Sequence, residues 1–154
     1  MRSFHFPGRS AVVARHAMCA TAHPLASLTA IETLKAGGNA VDAAVAACAV
    51  LCVVEPAMTG IGGDCFAILA KPGEPPIGLN GAGRAPQAAT ADWYARHAIK
   101  TIEMTSPHAV LVPGAIDAWA RLVKDHGRLS LDRLLTPAIG FAENGYAIPA
   151  RVAL

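Results

Sequence analysis

The chain has 154 residues, of which 53% are hydrophobic and 16% are charged, and its net charge is +2. Aromatic residues make up only 5% and no block of Lys or Arg occurs, which argues against a nucleic-acid-binding surface. The longest uncharged apolar run, residues 43–54, is too short to cross a bilayer, and the first residues lack the apolar core of a secretory leader.

The charged share is low, since globular proteins average about 25% charged residues. One interpretation is that some apolar faces pack against a segment outside this chain. The other is that the chain is simply rich in alanine, and composition leaves both open. The length fits one domain over residues 1–154.

The cysteines all lie in apolar surroundings, at Cys19, Cys48, Cys52 and Cys65. Cys48 and Cys52 have helical spacing, but no His or further Cys is close enough in sequence to complete a metal site. We therefore predict no bound metal and small, buried thiols in a reducing compartment, which indicates the cytoplasm.

The first predicted elements are short strands at residues 11–13 and 17–22, which end at His23-Pro24 because the residue before a proline disfavours helix. An amphipathic helix over 25–36 follows, and Gly37-Gly38 ends it with a left-handed cap.

A second helix is predicted over residues 40–53. Asn39 is its N-cap, and Asp42 stands at the third helical position, from which its carboxylate can reach back to the cap's amide. The helix is apolar all round, so we expect it to be buried on every side.

A β-hairpin is predicted next, with strands over 65–70 and 77–80 joined by the turn 71–76. Thr90 is expected to cap a short helix that runs to Ile99. Residues 105–114 are predicted to be loop or strand.

Two more helices complete the prediction. The first spans residues 114–125, carries Ile116, Trp119 and Val123 on one stripe, and is closed by Gly127. The second starts after either Ser130 or Thr136, with Pro137 in its first turn, where a missing N–H costs little. Gly145 ends it, and the abrupt stop at IPARVAL suggests an interrupted chain.

The sequence shows no nucleophile motif, since it has neither a G-x-S-x-G turn nor a Cys paired with a His. The histidines occur singly and are interpreted as surface or turn residues; they are His5, His16, His23, His97, His108 and His126. Asp64 is the carboxylate in the most site-like loop, and we favour an Asx-turn for it.

Two glycine-rich segments, GIGGD (60–64) and GAGRAP (81–86), could suggest phosphate binding. They lead into a strand and a proline rather than into a helix, so the dinucleotide-binding fingerprint fails its structural test. A nucleotide-binding function is therefore disfavoured.

Several motifs together resemble the start of the gamma-glutamyltransferase family. They are His23-Pro24-Leu25-Ala26-Ser27, the run from Lys35 to Ala44, Val54-Glu55-Pro56, Gly60-Ile61-Gly62-Gly63, Val112-Pro113-Gly114 and Leu135-Thr136-Pro137-Ala138-Ile139. The resemblance covers nearly the whole chain, as the N-terminal part of the large subunit.

This resemblance implies an α+β, N-terminal-nucleophile hydrolase fold, an αββα sandwich of which only an N-terminal portion is present. Family members are precursors that cut themselves, and the Thr freed at the start of the small subunit is the nucleophile. That Thr is expected outside this chain, so the chain would contain no catalytic residue and be inactive alone. The implied partners are the small-subunit segment and a small amide substrate, with no cofactor. The alternative is a non-catalytic scaffold or partner-binding fragment.

Family members that use gamma-glutamyl donors typically show Asp-x-Arg-Glu-x-Ala-Pro where this chain has NGAGRAP. Anchored on Ala85-Pro86, the family's Arg position is Ala82, and Arg84 stands two residues later. This form looks more like the acylase and oxamate-amidohydrolase branch. Arg84 is thus either a substrate anchor or a solvated charge in a turn, and the sequence leaves both open.

Overall fold

The structure is a computed structural model that describes residues 11–150. His5 and the end of the IPARVAL segment lie outside these residues. Five α-helices, one 3₁₀ turn and one hairpin make up the described part. They are α1 (Pro24–Lys35), α2 (Ala40–Val54), β1 (Cys65–Leu69), β2 (Ile77–Gly81), α3 (Ala91–Arg96), the 3₁₀ turn (Pro107–Ala109), α4 (Ala115–His126) and α5 (Leu131–Asn144).

Helix α2 is the centre of the fold, because it contacts α1, α4 and α5. Helix α4 lies in turn against both strands of the hairpin, whose antiparallel register pairs Cys65 with Gly81 and Leu69 with Ile77. The predicted hairpin is confirmed. Within residues 11–150 no helix is both long and apolar enough to cross a membrane.

The turn between α1 and α2 is built as its sequence predicts. Gly37 has a φ of +96°, the left-handed conformation that glycine adopts without a steric penalty. Asn39 accepts hydrogen bonds from the amides of Val41 and Asp42, and the Asp42 carboxylate accepts one from the Asn39 amide at 2.8 Å. This reciprocal capping box fixes the start of α2.

The predicted strands at 11–13 and 17–22 are wrong, since the described residues there form no strand. A strand needs a partner for its backbone N–H and C=O groups, and the hairpin contains the only strands in the described part of the chain. Val12 and Val13 are instead 76% and 91% exposed.

Of the two predicted starts for the last helix, after Ser130 or after Thr136, the structure shows the first. Ser130 is its N-cap and Pro137 lies inside the helix, not in its first turn. Proline there cannot donate to the Arg133 carbonyl four residues back. Burial of Leu134 and Ala138 stabilises the helix on both sides of this break.

The expectation that α2 is buried on every side is wrong along one stripe. Ala40, Ala44 and Cys48 are exposed at successive helical turns, because no described residue covers them. The prediction of buried cysteines is wrong for the same reason: Cys48 is exposed, the other three cysteines are half-buried, and all four are free.

The thiols are nevertheless shielded enough to change their acidity. Although Cys48 is exposed at the surface, partial desolvation by the surrounding protein raises the pKa of its thiol above the ordinary value of 9.0, and the nearby Cys65, Cys52 and Cys19 raise it further. Burial also raises the pKa of Cys52 and of Cys65. These thiols therefore stay protonated at neutral pH.

We expect the three thiols to react more slowly with iodoacetamide in the folded chain than in urea at pH 8. The thiolate is the nucleophile, and a raised pKa leaves less of it. A raised pKa in the folded state also means that stability is lost as the pH rises above 9.0. Mass spectrometry of each alkylated cysteine gives the rates, and equal rates for Cys48 in both states would contradict this assignment.

Candidate functional site

Three backbone segments meet at the N-terminus of α4: the loop 59–64 before β1, the glycine segment 81–86 after β2, and residues 110–114. The Gly63 carbonyl accepts hydrogen bonds from the amides of Gly114 and Ala115 at 3.1 and 3.0 Å. The first turn of α4 is therefore held by the loop before β1, which satisfies amides that a helix start leaves unpaired.

Asp64 does not form the predicted Asx-turn within its own loop. Its carboxylate accepts a hydrogen bond from the Gly83 amide at 2.8 Å, across nineteen residues of sequence. The Asn80 side chain accepts one from the Ala82 amide at 3.0 Å, and the Arg84 carbonyl accepts one from Val112 at 3.0 Å. These bonds fix the backbone of the glycine segment on both sides of Gly83.

Close approach of other segments explains three glycines of this region, Gly81, Gly83 and Gly114. A Cβ on Gly81 would lie 2.5 Å from the Ala118 Cβ and 2.7 Å from the Cys65 carbonyl oxygen. A Cβ on Gly83 would overlap the Val112 carbonyl, and one on Gly114 would overlap the Gly81 carbonyl. These three glycines therefore allow segments of the chain to pack closely against one another. Neither glycine-rich segment opens a helix, as the sequence predicted.

Arg84 projects from this fixed backbone into solvent. Exposure alternates along the segment: Gly81 and Gly83 are half-buried, whereas Ala82 and Arg84 are exposed. Arg84 thus shares a side with Ala82, as expected for positions two apart on extended backbone. Among the described residues its guanidinium makes no ion pair or hydrogen bond, so it is open to a ligand.

The histidines only partly fit their interpretation as surface residues. His23 is 5% exposed, and its Nδ1 accepts the Leu25 amide at 3.2 Å, so it caps α1 from inside the fold. That bond leaves the proton on Nε2, which is buried without a partner among the described residues. The sequence contains the signal, since His23 directly precedes Pro24 at the start of a helix.

Sequence reasoning also missed a cluster of rings beside the glycine segment. Trp93 and Tyr94 of α3 meet His108, while His97 stacks on Trp93 with ring centres 4.0 Å apart. These residues are spread over sixteen positions and carry no motif, so their pattern alone could not reveal the contact. Within residues 11–150 no group of His, Cys, Asp and Glu has metal-binding geometry.

Comparison with known proteins identifies the family. The family model described as gamma-glutamyltranspeptidase matches residues 26–154, so the chain belongs to the gamma-glutamyltranspeptidase family. Its structure resembles the Helicobacter pylori gamma-glutamyltranspeptidase with a TM-score of 0.83 at 35% identity, covering 94% of this chain and 42% of that one. This confirms the predicted N-terminal-nucleophile hydrolase fold and its large-subunit portion.

Two curated relatives are equally similar in sequence. The chain is 40% identical to the glutathione hydrolase-like YwrD proenzyme of Bacillus subtilis, covering 90% of this chain and 26% of that protein. It is also 40% identical to the oxamate amidohydrolase proenzyme of Klebsiella pneumoniae, covering 92% and 28%. The chain thus spans about a quarter of the length of these relatives. Because both are 40% identical to it, sequence identity does not indicate which of the two it resembles in substrate.

Proposed function

We propose that this chain is the N-terminal scaffold of an amide hydrolase or acyltransferase, and that the nucleophilic Thr belongs to another segment of the same precursor. The family match over residues 26–154 carries this proposal. The coverage of 26–28% of relatives named as proenzymes supports a second segment. By this proposal residues 1–154 form no complete active site and are inactive alone.

The exposed apolar surfaces support a missing partner segment. The outer face of the hairpin presents Phe66 and Ile68, which are 68% and 83% exposed. A second surface is a groove of about 460 Å³ between α2, α4 and α5, with Ile61, Ile116 and Ile139 at its rim. The predicted stripe on α4 is shifted here, because Ala115, Ala118, Trp119 and Leu122 face inward and leave Ile116 42% exposed.

A two-stranded hairpin with one bare apolar face is marginal in water and gains stability from further strands or a covering layer. We therefore assign the hairpin face and the groove to the small-subunit segment of the precursor. A cytoplasmic location, in keeping with the free cysteines, belongs to the same proposal.

The test compares the purified chain with a chimera in which residues 26–154 replace the matching segment of the Klebsiella pneumoniae oxamate amidohydrolase. We expect no hydrolysis of oxamate by the chain alone and measurable hydrolysis by the processed chimera. Turnover by the isolated chain would contradict the missing nucleophile. A chimera that folds and processes but shows no amide turnover would favour the non-catalytic scaffold.

The substrate proposal follows from the glycine segment. Ala82 stands where gamma-glutamyl-specific members carry the Arg that pairs with the donor's carboxylate. Arg84 lies on the same side but about 6.6 Å further along extended backbone, too far for the same bidentate contact. We infer that the protein prefers a small, non-glutamyl amide such as oxamate over gamma-glutamyl-p-nitroanilide.

Arg84 is proposed as the anchor for the anionic end of that substrate. In the chimera, we expect Arg84→Ala to lower kcat/KM for oxamate by roughly 30-fold or more, the scale of a lost charge-assisted contact. Arg133→Ala, on the exposed side of α5, is the matched control and should leave kcat/KM unchanged. If both variants retain full activity, Arg84 is only a solvated charge.

A further inference from the structure

A separate pocket lies next to the glycine segment and has no role in the proposed amide chemistry. It has a volume of about 270 Å³ and is formed by the loop after Arg84, by α3 and by the 3₁₀ turn with the residue that follows it. Pro86 and Val110 line it, and they flank the hydrogen bond between the Arg84 carbonyl and the Val112 amide. The pocket is therefore anchored to the same fixed backbone as Arg84.

The walls of the pocket are much richer in aromatic side chains than the chain as a whole. Aromatic residues are 5% of the chain, with two Trp and two Tyr in all, yet Trp93 and Tyr94 both line this pocket together with His108. His108 lies edge-on to Tyr94 at 5.6 Å and tilted to Trp93 at 5.5 Å between ring centres. Pro86 and Pro107 add flat, apolar walls.

Hydrogen bonds hold the backbone that carries the rings. The Thr90 hydroxyl accepts a hydrogen bond from the Trp93 amide at 3.2 Å, and the Ser106 hydroxyl accepts one from the His108 amide at 3.2 Å. His97 covers one face of the indole, so Trp93 presents its remaining surface to the pocket. A site held in this way is largely formed before any ligand arrives.

The chemistry of the lining selects the ligand. Ring faces and edges favour a planar aromatic group through offset or edge-to-face contacts. No carboxylate lines the pocket, so it lacks an anionic partner that would favour a cation over a neutral ring. The polar side-chain groups of the lining residues are the Trp93 indole N–H, the Tyr94 hydroxyl and the His108 imidazole. None of these groups makes a hydrogen bond to another described residue.

We propose that this pocket binds a small planar aromatic molecule that carries a hydrogen-bond acceptor, such as an aryl amide. The ring lies against Trp93 and the prolines, and the acceptor takes a hydrogen bond from His108 or Tyr94. The volume suits one substituted ring, since an apolar cavity of about 150 Å³ holds benzene. The proposal concerns binding alone and stands whether or not the enzymatic proposal holds.

The test is an NMR titration of the full 154-residue chain with benzamide, following the amides of Ala88 and Ala89, which line the pocket. A ligand of this size should bind with a Kd on the order of 1 mM. Cyclohexanecarboxamide, which has the same acceptor but no aromatic ring, should bind at least about tenfold more weakly.

Variants then locate the site. Trp93→Ala should weaken benzamide binding at least about tenfold, whereas Phe66→Ala, on the exposed hairpin face, should leave it unchanged. Ala89→Leu fills the pocket without removing a ring, and should block binding even if Trp93→Ala disturbs α3. Equal affinity for the two amides, or benzamide binding that survives Ala89→Leu, would overturn the proposal.

Discussion

Asp42→Ala is expected to lower the free energy of unfolding by about 4 kcal/mol, the largest effect of any single substitution that we predict. The Asp42 carboxylate is fully buried and accepts hydrogen bonds from three backbone amides. The Asn39 amide donates at 2.8 Å, the Leu129 amide donates at 3.3 Å, and the Arg128 amide is shared between the two carboxylate oxygens at 3.0 and 3.1 Å. Alanine removes the shared acceptor of these three part-buried amides.

Urea unfolding followed by circular dichroism measures this loss. Asp117→Ala is the matched control, because Asp117 also stands in the first turn of a helix but is exposed. We expect the control to change stability by no more than about 0.5 kcal/mol. A loss of similar size in both variants would show that Asp42 acts only through the charge at a helix start.

Asp42 also shows which contacts of this chain could be predicted from its sequence and which could not. Its capping role was predictable, because the box with Asn39 spans four residues and uses only local geometry. Its bonds to Arg128 and Leu129 cross 86 and 87 residues, and no local pattern encodes them. Asn39 adds a further bond from its side-chain amide to the His126 carbonyl. The capping box is thus also the link between the α1–α2 turn and the α4–α5 loop.

The same limit applies to the errors in the secondary structure. Helix bounds were predictable within a few residues where caps are local, as at Gly37 and at Gly145, whose φ is +79°. The strands at 11–13 and 17–22 were not, because a strand depends on partners that sequence alone does not supply. The start of α5 was ambiguous for a related reason, since burial of Leu134 outweighs the local preference of Pro137.

The candidate site was predictable in its residues but not in its geometry. The glycines and Arg84 stand out in the sequence, and the family resemblance aligned them with a substrate-binding motif. The bond from Gly83 to Asp64 and the ring cluster of Trp93, Tyr94 and His108 arise only when distant segments meet. The sequence therefore indicated which segments form the candidate site, and the fold shows which contacts hold these segments together.

The second large effect is expected at the centre of that site, where Gly83→Ala should cost about 3 kcal/mol of stability. A Cβ at this position would overlap the Val112 carbonyl and approach the Leu111 Cβ to 3.0 Å. Most of the obstruction is backbone, which cannot rotate away, so the segments must separate. That separation would also break the bond from Val112 to the Arg84 carbonyl and displace Arg84.

Gly78→Ala is the control for this prediction, because Gly78 lies in β2 of the same hairpin and a Cβ there meets nothing within 4 Å. It should change stability by no more than about 0.5 kcal/mol. Urea unfolding compares the two variants, and amide hydrogen exchange at Val112 reports whether its bond to Arg84 survives. If Gly83→Ala unfolds at the same urea concentration as Gly78→Ala and keeps Val112 protected, then the close approach does not hold the glycine segment in place. The hydrogen bonds to Asp64, Asn80 and Arg84 would then be enough to hold the segment in place.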